Sequence, residues 1–248
     1  MATYNGAAFL REQIDSILPQ LRDDDELVIV DDASSDETRE IVLSYGDERI
    51  RHVEQDVNRG YVRTFEHAMT LAHGDILLLS DQDDLWVAGR LEVLAQAAAA
   101  RGVAASNIRL LDSREPLRSP LTGRPWLLRA KDSSRRVRNE LAILAGDIPY
   151  FGCAMAVRRD VLDLVLPFPA GLTESHDLWI ATLANAGRRM THVEQTTLLR
   201  RVHEDNASTS RPRGFLPALR SRLLLLRLWR EARRRIRRGP AGTPRHQG

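Results

Sequence analysis

Asp81-Gln82-Asp83-Asp84 places three carboxylates and an amide on four consecutive residues. Like charges so close raise one another's pKa and leave a group without partners unless a cation or hydrogen-bond donors are at hand. A divalent metal resolves the conflict. Mg²⁺ and Mn²⁺ take oxygen ligands and keep open positions for phosphate oxygens, so one or two of these carboxylates and a diphosphate would complete a coordination sphere. A solvated acidic turn is the ordinary alternative. Position favours the metal, because the turn follows Asp75-Ile-Leu-Leu-Leu-Ser80, a continuous apolar run of the kind a buried parallel strand shows. A second acidic pair, Asp31-Asp32, ends the strand-like run from Glu26, where acidic residues also serve as helix caps. Asn58-Arg59-Gly60, with Arg63 in the helical stretch that follows, would set an arginine near phosphates or leave it in solvent.

The elements that must position these residues follow from periodicity. Leu10, Ile14, Ile17, Leu18 and Leu21 recur at helical spacing, and a polar turn at Asp23-Asp24-Asp25 leads into the 26–31 strand. Ser34-Ser35-Asp36 supplies N-cap residues for a helix to about Tyr45, Arg49 to Val53 reads as a short strand, and a third helix runs from Tyr61 to His73, stopped by Gly74. This alternation predicts an α/β fold with a doubly wound, mostly parallel sheet. Such sheets bind ligands at the carboxyl ends of their strands. Both acidic clusters fall there, which implies one shared site. After a helix at 88–100, the segment 113–138 is rich in Arg, Ser and Pro without periodicity and predicts a long loop or lid. A strand at 150–157 then runs into a helix at 160–164, followed by a helix over 175–186 and two short strands at 189–194 and 196–202.

At 248 residues the chain suits one large domain, 1–210, with a tail at 211–248. Hydrophobic residues at 43% and charged residues at 28% exclude a disordered chain. The net charge of +2 conceals an asymmetry: residues 211–248 carry twelve Arg against Glu231 alone, which is +11, and leave the body at −9. An acidic body excludes a nucleic-acid face there. The sole cysteine, Cys153, excludes an intramolecular disulfide and suits a reducing, cytoplasmic setting. The first apolar stretch is broken by Asn5, Arg11 and Glu12, unlike a signal peptide, and no run reaches the ~18 apolar residues of a membrane span. In the tail, Phe215, Leu219, Leu223 and Leu226 share a helical stripe, while Leu224, Leu225 and Leu228 spread apolar surface around the helix. Two readings stay open: an interfacial helix over 215–238 that touches anionic lipid at the inner face of the cell membrane, or a helix packed on the domain with a basic end.

Together these segments resemble the family 2 glycosyltransferases of the GT-A fold, and most closely the rhamnosyltransferase branch, from Ala2 to about Ser208. Ala2-Thr-Tyr-Asn-Gly6 is similar to the family's opening segment, Val30-Asp-Asp-Ala-Ser-Ser-Asp36 to its nucleotide-binding turn, and Asn58-Arg-Gly60 with Arg63 to its third block. Leu79-Ser-Asp-Gln-Asp-Asp-Leu-Trp86 resembles the metal motif of that branch. Glu174-Ser-His-Asp-Leu-Trp179 falls where the family places its catalytic acid, and Arg201-Val-His203 with Asn206 resembles its late arginine–histidine motif. The resemblance implies a nucleotide-sugar donor held by Thr3, Tyr4, Asp32, Asn58, Arg63, Asp81 and His203. It further implies Asp32 at the base, Asp81 at the ribose or the metal, Asp83 on a Mg²⁺ or Mn²⁺ ion that bridges the diphosphate, and Asp84 supporting the turn. Asp177 is then the general base of an inverting transfer. The implied sugar is rhamnose from dTDP-rhamnose, and the implied acceptor a cell-surface polysaccharide or lipid-linked glycan.

Two departures stand out. The family opens with a hydrophobic strand of which almost nothing precedes Thr3, so the sheet is expected to lack a central member and to expose backbone groups. Arg200 and Val202 stand where a tyrosine and a polar residue are expected. Rival classes share pieces of the pattern. Leu27 to Asp32 resembles the acidic opening of a response-regulator receiver domain, and Asp81 with Asp83 resembles the nucleophile motif of haloacid dehalogenase phosphatases. Both classes use a later lysine, and the one lysine, Lys131, lies in the predicted loop. A relative that binds nucleotide sugar without turnover is the remaining alternative.

Overall fold

The computed structural model describes the backbone of residues 1–203 and 215–239, with side chains from 220 onward in the second stretch. Its first sheet is wholly parallel: β1 (Ala2–Thr3), β2 (Leu27–Asp31) and β3 (Ile50–Glu54), in that order. All five residues of β2 are buried, which is why its sequence reads as an unbroken apolar run. The helix α1 (Ala7–Ile17) lays Leu10, Ile14 and Ile17, all fully buried, into the core with Leu27 and Ile29. The short α2 (Thr38–Leu43) follows β2, and α3 (Tyr61–Leu71) follows β3 and buries Phe65 and Met69.

The second sheet contains β4 (Ile76–Leu78), β5 (Leu85–Trp86), β6 (Val103–Leu110), β7 (Met155–Arg158) and β8 (Met190–Arg200), ordered β4-β7-β6-β8-β5. Only β6 and β8 pair in parallel; the other three pairings are antiparallel. The α/β class is as the sequence predicts, with parallel pairing concentrated in the first sheet. Direction in the second escapes sequence reading because a buried apolar run looks the same in either sense. Helices α4 (Arg90–Arg101), α5 (Arg136–Ala145), α6 (Arg159–Val165), α7 (His176–Ala186) and α8 (Phe215–Arg238) complete the fold.

Three local differences from the sequence reading have physical causes. The break expected at residue 195 is a bulge within one strand: Ser106 faces Val193 while Asn107 faces Thr196, and the Asn107 amide donates to the Glu194 carbonyl at 2.8 Å. The helix α5 lies within the end of the predicted loop and the stretch after it. Its inward positions include Asn139 and Glu140, both buried, which mask an apolar period. Residues 152–154 form a 3-10 turn, so the strand predicted from 150 begins at Met155.

At the start of the chain Ala2 and Thr3 pair with Val30 and Asp31, and the Met1 ammonium donates to the Val28 carbonyl at 2.7 Å. Burial pushes that ammonium down to about 5, with Asp81 opposing. A cavity of about 410 Å³, lined among others by Val28, Phe65, Met69, Leu77 and Leu79, lies against β2 and β4. Against the expectation of a sheet that lacks this member, β1 pairs in parallel with β2.

Candidate active site

The loops after β1 and β2 are laced together. Thr3 Oγ1 donates to Asp31 Oδ2 at 2.8 Å, and the amide and hydroxyl of Ser34 donate to the same carboxylate at 2.7 and 2.6 Å. Asn5 receives the Ser35 amide on its side chain and gives its own amide to Ser34 Oγ, each at 2.8 Å. Asp32 is buried and accepts from the amides of Arg59 (2.7 Å) and Gly60 (2.8 Å) and from Gln55 Nε2 (3.0 Å). It thereby ties the 58–60 turn, where Asn58 Oδ1 also accepts from the Gly60 amide, to the end of β2. Gly60 adopts φ of 82°, which favours glycine. Thr3, Asp32 and Asn58 thus share one rim. The Arg63 guanidinium is engaged elsewhere, on Glu66 and on the carbonyls of Pro169 and Ala170, where it braces the loop that leads into α7.

The acidic turn joins β4 to β5. The Gln82 side chain pairs with the Tyr4 backbone in both directions, at 2.8 and 3.0 Å, and a Cβ on Gly6 would run into it. From α1, Gln13 Nε2 donates to Ser80 Oγ (2.6 Å) and the Asp81 carbonyl (2.9 Å), and Ser16 Oγ accepts from the Trp86 amide (3.0 Å). Behind the turn a fully buried Arg90 stacks on Trp86 and donates to Leu79 O, Cys153 O and Thr197 Oγ1. Because Leu85 pairs with Leu199, the end of β8 arrives alongside. Arg201 donates its amide to Asp84 Oδ1 and its Nε to the Asp83 carbonyl, both at 3.1 Å, and ion-pairs with Glu12. His203 Nε2 meets Asp83 Oδ2 at 2.8 Å, its ring 4.6 Å from Phe9.

Burial, then the charges of Asp84 and Asp83, push the Asp81 carboxyl up to about 8; burial and then Asp83 push Asp84 up to about 6. Such carboxyls are short of a cation. Ligand atoms of Asp81, Asp84 and Cys153 lie within 4.8 Å of one another. Burial, then the two carboxylates, hold the Cys153 thiol well above its ordinary value, and a protonated thiol is a poor ligand for a hard cation. The oxygen donors fit Mg²⁺ or Mn²⁺; the sulfur does not.

Asp177 lies on the first turn of α7, and its Oδ1 accepts from the Leu178 amide at 2.7 Å. Burial raises this carboxyl to about 6, against the lowering effect of the Leu178 and Gly152 amides and Arg200. A Cβ on Gly152 would sit 3.6 Å from Asp177 Cβ, and the next residue, Cys153, holds its sulfur within 4.8 Å of ligand atoms of Asp81 and Asp84, so the 152–153 turn joins Asp177 to the acidic turn. On the Asp177 side the Tyr61 hydroxyl accepts from the Ser175 amide at 3.1 Å, and burial and then the charges of Asp177, Glu174 and Asp81 raise its phenol. The neighbouring His176 is stacked 4.4 Å from Phe65 and pushed down to about 4 by burial. Arg200, set over the Phe151 ring, is the cation that lowers Asp81, Asp84 and Asp177 alike. Tyr61, Gln82 and Arg200 were not singled out as site residues by sequence. Arg200 showed only as a departure. Asn206, part of the late motif, lies outside the described residues, and Lys131 is exposed on the 130–132 turn.

This architecture is the GT-A fold. Staphylococcus aureus TarS 1-349 in complex with UDP-GlcNAc superposes with a TM-score of 0.65 at 19% identity, over 91% of this chain and 64% of that one. The mannosyltransferase PcManGT of Pyrobaculum calidifontis in complex with GDP-Man and Mn²⁺ gives 0.59 at 18%, over 98% and 74%. Residues 1–165 match the profile of glycosyl transferase family 2, and the chain belongs to that family. Among curated relatives, the Escherichia coli UDP-Glc:alpha-D-GlcNAc-diphosphoundecaprenol beta-1,3-glucosyltransferase WfgD is 34% identical over 93 residues, 38% of this chain and 37% of WfgD. An uncharacterised glycosyltransferase of Rickettsia felis is 26% identical over 223 residues, 83% of this chain and 34% of that one. The chain therefore spans little more than a third of these relatives' length. Among the described residues no helix is long and apolar enough to cross a membrane.

Proposed function

We propose that the chain is an inverting glycosyltransferase that moves a sugar from a metal-bound nucleotide-sugar donor to a cell-surface polysaccharide or lipid-linked glycan. The observation that supports this reading most is Asp177 at the start of α7, beside the 152–153 turn whose Cys153 abuts Asp81 and Asp84, with burial raising its carboxyl to about 6. A carboxylate that titrates near neutrality accepts an acceptor hydroxyl's proton more readily than an ordinary one. Asp177 takes that proton as the hydroxyl oxygen bonds to the anomeric carbon, and the bond to the nucleoside diphosphate breaks on the opposite face. Asp81 and Asp83 would hold the divalent cation, with His203 in reach. When bound, that ion neutralises charge on the departing diphosphate. Tyr4 and Asn58 line the donor's rim in this reading, with the buried Asp32 holding the 58–60 turn and Thr3 supporting Asp31 beneath it.

The proposed donor is dTDP-rhamnose, on the resemblance of the Ser80 to Trp86 block. The name of WfgD specifies a diphosphoundecaprenol-linked acceptor, which supports a lipid-linked one here. The body, 1–210, then carries catalysis at the cytoplasmic face of the membrane, and the 215–238 helix makes peripheral contact. Calorimetry of nucleotide sugars with and without Mn²⁺ tests the metal and donor assignments. Affinity should depend on Mn²⁺ and fall at least about tenfold in Asp83→Ala, a loss of about 1.4 kcal/mol. Unchanged affinity in that variant removes the metal assignment, and tighter binding of another nucleotide sugar replaces rhamnose.

A further inference from the structure

The helix α8 divides its surface between two tasks. Inward, Leu225, Leu228 and Ala232 are buried in the main core, Trp229 and Arg233 bond Glu140 at 2.9 and 3.1 Å, and Arg235 donates to the carbonyls of Leu164, Val165 and Pro167. Outward, Arg220, Arg227, Arg230, Arg234 and Arg237 are all exposed. At a helical turn of about 100° per residue they fall within an arc of about 100°. Leu223, 49% exposed, lies within this arc, and Leu226, 40% exposed, lies just beyond its edge. The tail's one acid, Glu231, is occupied within the helix by Arg234 and Arg235. Arg220, Arg227, Arg230 and Arg237 have no ion pair among the described residues.

We propose that this outward face is a seat for an anionic lipid bilayer. Its arginines lie at the level of the headgroup phosphates, with Leu223 and Leu226 at the acyl boundary. The apolar side of α8 is already spent on the domain, so the helix does not insert; its hold comes from charge and weakens with salt. A nucleic acid offers the same phosphates but no apolar layer for the two leucines, which favours lipid. The seat is also placed to matter. Ser221 Oγ donates to Glu174 Oε1 at 2.9 Å, three residues before Asp177, so a bilayer under α8 lies beside the loop that carries the base. That last consequence rests on the transferase reading; the lipid seat does not.

Cosedimentation of the full chain with vesicles tests it, using phosphatidylcholine alone and phosphatidylcholine mixed with phosphatidylglycerol. The chain should pellet only with the anionic vesicles and be released at high salt. A variant carrying Arg227→Glu, Arg230→Glu and Arg237→Glu should lose at least about 100-fold in affinity, at about fivefold per arginine, with its melting temperature unchanged because these side chains face solvent. Equal binding to neutral vesicles, no binding to either, or full binding by the triple variant overturns the proposal. Tighter binding of poly(U) than of anionic vesicles also overturns it and assigns the face to nucleic acid. A chain that pellets with anionic vesicles yet binds no nucleotide sugar keeps the lipid seat and removes the transferase reading.

Discussion

Asp177 and the acidic turn differ in how they announce themselves. Three carboxylates adjacent in sequence repel whatever the fold, so Asp81 to Asp84 could be singled out by composition alone. The Asp177 role needed resemblance, because a single acid at the start of a helix is ordinary. Tyr61 carried no local signal, Gln82 showed only as the amide within the acidic turn and Arg200 only as a departure, since their contacts come from segments distant in sequence. The raised carboxyl of Asp177 yields two predictions. A base must be deprotonated, so transfer should fall about tenfold per unit as pH drops below about 6, and Arg200→Ala should shift that limb to higher pH. The linkage sign is the reverse for stability. A carboxyl raised in the folded state weakens the fold as pH climbs from its ordinary value of 3.8 through about 6, and the cost is complete above that. Asp177→Asn should therefore be more stable than the parent at pH 7, by ~1–3 kcal/mol, with the gain nearly gone at pH 4. Urea melts at the two values check it; a destabilised variant at pH 7 contradicts it.

At the scale of elements, the site is built by pairings between segments far apart in sequence. The β5–β8 contact delivers Arg200, Arg201 and His203 to the turn, and the Asp32 carboxylate holds the start of α3 through two backbone amides. The helices and strands of the first half were legible because their apolar periods are clean. The second half was less so: α5 turns polar residues inward, and strand direction leaves no trace in a buried run. Gly6 shows how tightly the elements approach. Gly6→Ala would push Gln82 off the Tyr4 backbone, with an expected stability loss of ~1–3 kcal/mol and weaker Mn²⁺-dependent donor binding. Thermal melts and calorimetry on one preparation measure both, and unchanged donor affinity would show that the Tyr4–Gln82 clamp is dispensable.

For the whole molecule, the charge asymmetry seen in the sequence acquires a structural meaning. The acidic body gathers carboxylates at one site, while the basic tail is neither detached nor wholly free, since α8 contributes to the main core. Of the two readings of the tail, the packed helix is the one seen: α8 packs on the domain with one side and shows arginines on the other. Ending the chain at Ser210 should remove ~3–6 kcal/mol through the lost burial of Leu225 and Leu228 alone, which is comparable to the stability of many domains. A melting temperature equal to that of the full chain would contradict that packing.

In the proposed reading the two sides of the site divide the labour, with the acidic turn at the leaving group and Asp177 at the acceptor. Single-turnover transfer to acceptor, measured beside calorimetric donor affinity for the parent and Asp177→Asn, tests it most directly. The expected result is transfer lost by at least about 1,000-fold with donor affinity retained within a factor of about two. Transfer at the parent rate by Asp177→Asn, or loss of donor binding in step with loss of transfer, would contradict the assignment of Asp177 as the base.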